Sequence, residues 1–251
     1  MDVVIVLPDG VTVFEALGPW GVFARLDDTT VRMVGDRAGR VPGHGSKVPL
    51  VAETSYLFLD PTHVADVLVV PGGLGIRQLV HDRSMLDWLR TAHESARWTI
   101  GISTGSVLLS AAGLLTERDA TTHWLARDLL EDEGAHAVPE RVVRSDDIVT
   151  ATGAVSGLEA ALLVAAEERG REVVDHIRAD LDDELTGRLS DNRPAGPDEM
   201  RQLTGLPARS PGAPFVDGPS EGPWWRRARG WSPRTGRLRV RGRSELAPTV
   251  G

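Results

Sequence analysis

The sequence predicts an α/β domain in which a mainly parallel sheet carries helices on both faces. Short apolar runs at residues 3–7, 67–70 and 98–102 are rich in β-formers, and each leads into a turn. The stretches between them place apolar residues at helical spacing: Leu86, Leu89 and Ala92 within 85–96, and Leu158, Ala161, Leu162 and Ala165 within 157–169. Alternation of this kind indicates parallel strands joined by helical crossovers, and ligands of such sheets bind outside the carboxyl ends of the strands.

Taken in order, the first run is closed by Pro8-Asp9-Gly10, and a helix is expected to open near Phe14. Residues 37–49 mix Gly, Pro and charge and read as an exposed hairpin or loop. The second run follows Ala65-Asp66 and enters Pro71-Gly72-Gly73; the third enters Ser103-Thr104-Gly105. Chemistry is therefore to be sought at residues 8–15, 71–75 and 103–105. After about Leu189 the composition turns to Pro, Gly and Arg, which bury little. The chain is read as one domain over 1–188 and an extended or partly disordered extension over 189–251. No internal repeat and no heptad pattern is present.

Composition excludes several chemistries. With no cysteine among 251 residues, disulfides, thiolate metal clusters and thiol nucleophiles drop out. The seven histidines show no metal-ligand spacing, so no structural metal is expected. Residues 71–75 lack the Gly-Lys-Ser/Thr ending of a phosphate loop and the full dinucleotide fingerprint, and no cofactor is expected. A formal net charge of -8 argues against nucleic-acid binding by the main domain. Residues 226–243 are basic and lie beside Trp224 and Trp225, a composition read first as a solubilising tail. No apolar run approaches the ~20 residues needed to span a bilayer. The first residues do not resemble a secretory signal, which makes a cytoplasmic location the default expectation.

Gly101-Ile102-Ser103-Thr104-Gly105 fits G-x-S-x-G and lies between a strand-like run and the helical residues 107–112. The glycines would permit a tight, strained turn that projects residue 103 while the next backbone N–H groups open a helix. Those groups, with the helix dipole, stabilise a developing anion. An ordinary strand-to-helix turn with Ser103 or Thr104 as N-cap fits the bare motif too.

The segments 101–106 and 113–115, followed by Ala120-Thr121-Thr122-His123-Trp124, resemble the centre of the ThiJ/PfpI superfamily, which is related to glutamine amidotransferase domains. Phe14-Glu15-Ala16-Leu17-Gly18-Pro19, Val70-Pro71-Gly72-Gly73, Val149-Thr150-Ala151 and Gly157-Leu158-Glu159 extend the likeness over about residues 2–180. Within the superfamily the sequence is most similar to isonitrile hydratases and to the ligand-sensing domains of AraC-type regulators. No helix-turn-helix module is expected from the residues that follow, which weakens the regulator reading. The resemblance implies a flavodoxin-like three-layer sandwich with a nucleophile elbow at Ser103, and a homodimer acting on a small molecule.

The same resemblance implies roles for single residues. Glu15 matches an acid that reaches from the first helix towards the elbow, where burial would raise its pKa. Taken alone, it reads as a solvated or helix-capping glutamate. Gly73 and Thr104, flanked by Gly72 and Gly105, would supply the backbone donors of an anion hole. His123 would serve as a base or substrate donor, or else as a packed or dimer-contact residue beside Trp124. One departure stands out: family enzymes carry cysteine at the elbow, and serine is a far weaker nucleophile without a base. Three readings follow. The first is a hydratase-type lyase working through Glu15; the second, a ligand-binding or regulatory domain without turnover; the third, a serine hydrolase, for which the oxyanion motif of lipases is missing.

Overall fold

The computed structural model describes residues 1–44 and 48–186; the extension at 189–251, with its tryptophan and arginine clusters, lies outside the described residues. β1 (Asp2–Val6) leads into α1 (Val13–Phe23) and β2 (Thr30–Gly35). β3 (Gly39–Val41) and β4 (Leu50–Ala52) pair antiparallel in the region expected to be a hairpin or loop, followed by β5 (Thr54–Ser55). Next come β6 (Val67–Val70), α2 (Ile76–Leu79), α3 (Arg83–Ser95), β7 (Trp98–Ile102) and α4 (Thr104–Ala111). The described chain ends with β8 (Asp119–Ala120), α5 (Arg127–Asp132), β9 (His136–Ala137), β10 (Val142–Ser145), β11 (Ile148–Ala151), α6 (Ala154–Arg169) and α7 (Arg171–Thr186).

Seven strands form the central sheet in the order β10-β11-β7-β6-β1-β2-β5, and every neighbouring pair is parallel except β10 with β11. Side chains alternate across a strand, so the continuous apolar run of β1 serves two cores. Val3 and Ile5 join a cluster with Val22 and Phe23 of α1 and Ala161 and Val164 of α6. Val4 and Val6 point the other way, into a cluster with Met85 and Leu89 of α3 and Leu108 and Leu109 of α4. The result is the three-layer α/β architecture expected from the sequence. Among the described residues, no helix is long and apolar enough to cross a membrane.

The topology itself locates the site. From β1 the chain adds β2 on one side, then returns to place β6 on the other, so the order reverses between β1 and β6. At such a reversal the connections leave on opposite faces and open a crevice above the carboxyl ends of the strands. The ends of β1, β6 and β7 lie side by side, with Ile5 opposite Val69 and Val69 opposite Ile100.

Candidate active site

Three turns meet at that crevice. The turn after β1 and the turn after β6 are laced together: the Thr12 N–H donates to the Gly72 carbonyl at 3.0 Å, Leu74 N–H to Gly10 at 3.1 Å and Gly75 N–H to Asp9 at 2.8 Å. This lacing fixes α1 relative to β6 and carries Glu15, in the first turn of α1, over the Gly-rich turn. The Gly72 N–H donates to Glu15 Oε2 at 2.8 Å. A methyl group at position 72 would lie 2.6 Å from Thr104 Oγ1 and 2.8 Å from Glu15 Oε2, so the carboxyl approaches only because residue 72 has no side chain.

The third turn is the elbow. Ser103 adopts φ 57° and ψ -131°, a conformation that L-residues rarely adopt and that costs about 1–3 kcal/mol. Its peptide groups are held by strong partners: its N–H donates to the Ala151 carbonyl at 2.7 Å, and its carbonyl accepts from Thr122 Oγ1 at 2.7 Å and from the Ser106 N–H at 3.1 Å. The glycines of G-x-S-x-G have a different task from the one the sequence suggests. Neither Gly101 nor Gly105 has positive φ; the strain sits on Ser103 itself. A methyl group at Gly105 would fall 2.0 Å from the Val70 carbonyl oxygen, so this glycine lets the start of α4 abut the end of β6.

Ser103 does not cap α4 through its side chain. Its hydroxyl instead lies where it lowers the pKa of the Glu15 carboxyl. Both residues are buried, at 6 % and 5 % exposure, which disposes of the solvated-glutamate alternative. Burial pushes the Glu15 carboxyl up to about 7, against the lowering influence of the Gly72 N–H and the Ser103 hydroxyl. A carboxyl with that value gives and takes protons near neutrality.

The remaining sequence-derived candidates divide. Thr104 and Gly105 open α4, and neither backbone N–H has a protein acceptor among the described residues, leaving two donors at the helix start. The Gly73 N–H is directed to Thr104 Oγ1 at 3.1 Å, and that of Gly72 to Glu15, so these two glycines shape the site with their donors already engaged. His123 is not joined by a hydrogen bond to Glu15 or Ser103. It caps the short turn Trp124–Ala126, its Nδ1 accepting from the Leu125 N–H at 3.3 Å, and its ring lies 5.7 Å from that of Trp124. Thr122, fully buried on the elbow carbonyl, escaped the sequence reading; its signal was the Thr-Thr pair preceding the histidine. Phe14, Leu74, Trp124 and Leu125, neighbours in sequence of the site residues, are exposed apolar side chains.

A buried carboxyl paired with an elbow hydroxyl, beside the open N–H groups of a helix start on a mainly parallel sheet, defines a class of α/β proteins built around a nucleophile-elbow site. The chain belongs to the DJ-1/PfpI family, whose model matches residues 1–167. It is 36% identical over 174 residues to an isonitrile hydratase of Pseudomonas putida, covering 67% of this chain and 72% of that one. It is 30% identical over 121 residues to the HTH-type transcriptional regulator CdhR of Pseudomonas aeruginosa, covering 47% of this chain and 36% of the regulator. The crystal structure of a ThiJ/PfpI family protein from Pseudomonas syringae superposes with a TM-score of 0.67 at 25% identity, covering 80% of this chain and 79% of that one.

Proposed function

We propose that the protein is a hydratase-type lyase that adds water to a small electrophilic group of the isonitrile kind, with Glu15 as general acid and base and Ser103 as its hydrogen-bonding partner. The observation that carries this reading is the Glu15 carboxyl, buried between the Gly72 N–H and the Ser103 hydroxyl with a pKa of about 7. Likeness to an isonitrile hydratase over two thirds of the chain supports the substrate class. Protonated Glu15 delivers its proton to the terminal carbon of R–N≡C as a water oxygen bonds to that carbon. The carboxylate recovers a proton from the water, and the resulting formimidic acid tautomerises to the N-substituted formamide, so that isonitrile plus water balances product. The open Thr104 and Gly105 N–H groups face partial negative charge developing during the addition.

In this reading Ser103 donates to the carboxyl rather than attacking, because a neutral hydroxyl is a weak nucleophile without a base to take its proton. The exposed Phe14, Leu74, Trp124 and Leu125 suit a substrate with an apolar body, and equally a second copy of the chain, which makes a homodimer part of the proposal. The test is formamide production from a panel of small isonitriles. Wild-type protein is expected to turn over and Glu15→Gln to lose at least about 100-fold. Full turnover in Glu15→Gln overturns the proton role. Ser103→Ala distinguishes the routes: retained turnover fits water addition, whereas complete loss with intact binding fits a formimidate, R–N=CH–O, carried on the Ser103 oxygen and released by water.

A second reading is a ligand-binding domain without turnover. What favours it is serine where family enzymes carry cysteine, together with the likeness to a transcriptional regulator. It requires saturable binding of a small molecule by wild-type protein with no product formed.

A further inference from the structure

The hydroxyl of Thr122 is fully buried, and its hydrogen-bond acceptor is the carbonyl of the strained residue Ser103, at 2.7 Å. A valine would fill the same space without a polar atom, and burying a hydroxyl costs about 1–3 kcal/mol unless it is bonded. This one is spent on the 103–104 peptide. In a trans peptide the carbonyl and the N–H point in opposite directions, so fixing the Ser103 carbonyl also fixes where the Thr104 N–H is aimed. The Thr104 nitrogen lies beside the Gly-rich turn: a methyl group at Gly72 would be 2.9 Å from it. The segment bearing Thr122 is itself anchored, since the Thr121 N–H donates to Thr150 Oγ1 of β11 at 2.9 Å. β11 is also the strand whose Ala151 carbonyl receives the Ser103 N–H.

From this double attachment we infer that Thr122 is a positioning residue: it locks the 103–104 peptide so that the Ser103 hydroxyl meets Glu15 and the Thr104 N–H opens into the crevice. The inference rests on Glu15 and Ser103 forming the working pair, but not on the identity of the substrate. Thr122 touches neither substrate nor carboxyl; it acts through the elbow.

The experiment follows the Glu15 carboxyl by 13C NMR titration of the full chain labelled at glutamate, in wild type, Thr122→Val, Thr122→Ser and Ser103→Ala. No substrate enters, so a protein that fails to hydrate isonitriles still tests the inference. In Thr122→Val the elbow relaxes and Glu15 loses the hydroxyl that lowers its pKa, so its midpoint is expected to rise above the wild-type value to that of Ser103→Ala. Thr122→Ser keeps the donor and is expected to restore the wild-type midpoint. A Thr122→Val protein that melts earlier but titrates like wild type overturns the inference, because a merely structural threonine would behave that way. Should Thr122→Val not fold, the wild-type hydroxyl decides. In mixed H2O and D2O, a buried donated hydroxyl exchanges slowly and splits the Thr122 13Cβ signal, and a single averaged signal overturns the inference.

Discussion

Replacing Glu15 by glutamine is expected to stabilise the fold while lowering activity, and the size of the gain follows from the burial of one carboxyl. The Glu15 pKa is raised in the folded protein from an ordinary 4.5 to about 7. Below pH 4.5 the acid is protonated in both folded and unfolded chains, and ionisation contributes no difference. As pH rises from 4.5 towards 7, the unfolded chain releases the proton while the folded chain retains it, so the native state loses stability; above about 7 the loss is constant. At about 1.4 kcal/mol per pH unit the full displacement is worth about 3 kcal/mol. Glutamine is neutral throughout, and its carbonyl oxygen can still accept from the Gly72 N–H, so the variant escapes this loss. Part of the gain, about 1 kcal/mol, is returned through poorer hydrogen bonding. Urea unfolding of both proteins between pH 5 and 8 should show the advantage of Glu15→Gln widening with pH by at most about 1.4 kcal/mol per unit. A difference that stays flat over this range would refute the reasoning, since it would mean that Glu15 ionises in the fold as it does in water.

Hydration that needs Glu15 as an acid is expected to fall as pH rises through about 7, and that limb should be absent from whatever activity Glu15→Gln retains; a kcat/KM profile between pH 5 and 9 measures it. Gly72→Ala and Gly105→Ala should fail differently. The added methyl at 72 strikes Thr104 Oγ1 and Glu15 Oε2, which can turn aside, and the Thr104 backbone nitrogen at 2.9 Å, which cannot, so turnover should fall sharply and melting temperature should fall by less than at 105. At 105 the methyl meets the Val70 carbonyl at 2.0 Å, and thermal unfolding should show a loss of several kcal/mol or no folded protein at all. His123→Ala removes a cap from the Trp124–Ala126 turn and should cost about 1 kcal/mol in denaturant unfolding while leaving the Glu15 titration in place.

Much of this was legible in the sequence because strands buried on both faces announce themselves. β6 and, from Val3 onward, β1 are apolar without interruption, β7 is buried along its whole length, and their ends are the three turns that build the site. β2 was not picked out. Its residues from Thr30 to Met33 are only partly covered, and Arg32 reaches across to the Val64 carbonyl at 3.1 Å, a tertiary contact that no local pattern displays. α7 buries Val174, Ile177 and Leu181, but these are spaced among so many charges that the apolar stripe is thin. Glu15 became a candidate only through resemblance. Its burial is decided by a glycine 57 residues away, and a glutamate in the first turn of a helix otherwise looks like any solvated one. Thr122 stayed hidden for a similar reason: a buried threonine reads as core, and the adjacent histidine drew the chemical interest that the hydroxyl warranted.

The serine at position 103 then takes on a definite meaning. Were a thiol there, it and the carboxyl would compete for a shared proton, because both titrate within reach of neutrality and their ionisations would be coupled. A hydroxyl does not ionise in that range. The proton of the pair that titrates near neutrality is therefore the one on Glu15, whose carboxyl is pushed up to about 7 by burial while the hydroxyl lowers it. In the proposed reaction, serine in this place leaves the acid and base in position without a thiol to attack, and the strained elbow keeps a purpose: it holds the hydroxyl beside the carboxyl. An elbow held under strain by Ala151 and Thr122, with its hydroxyl beside a buried carboxyl, is what the proposed water-adding site would require.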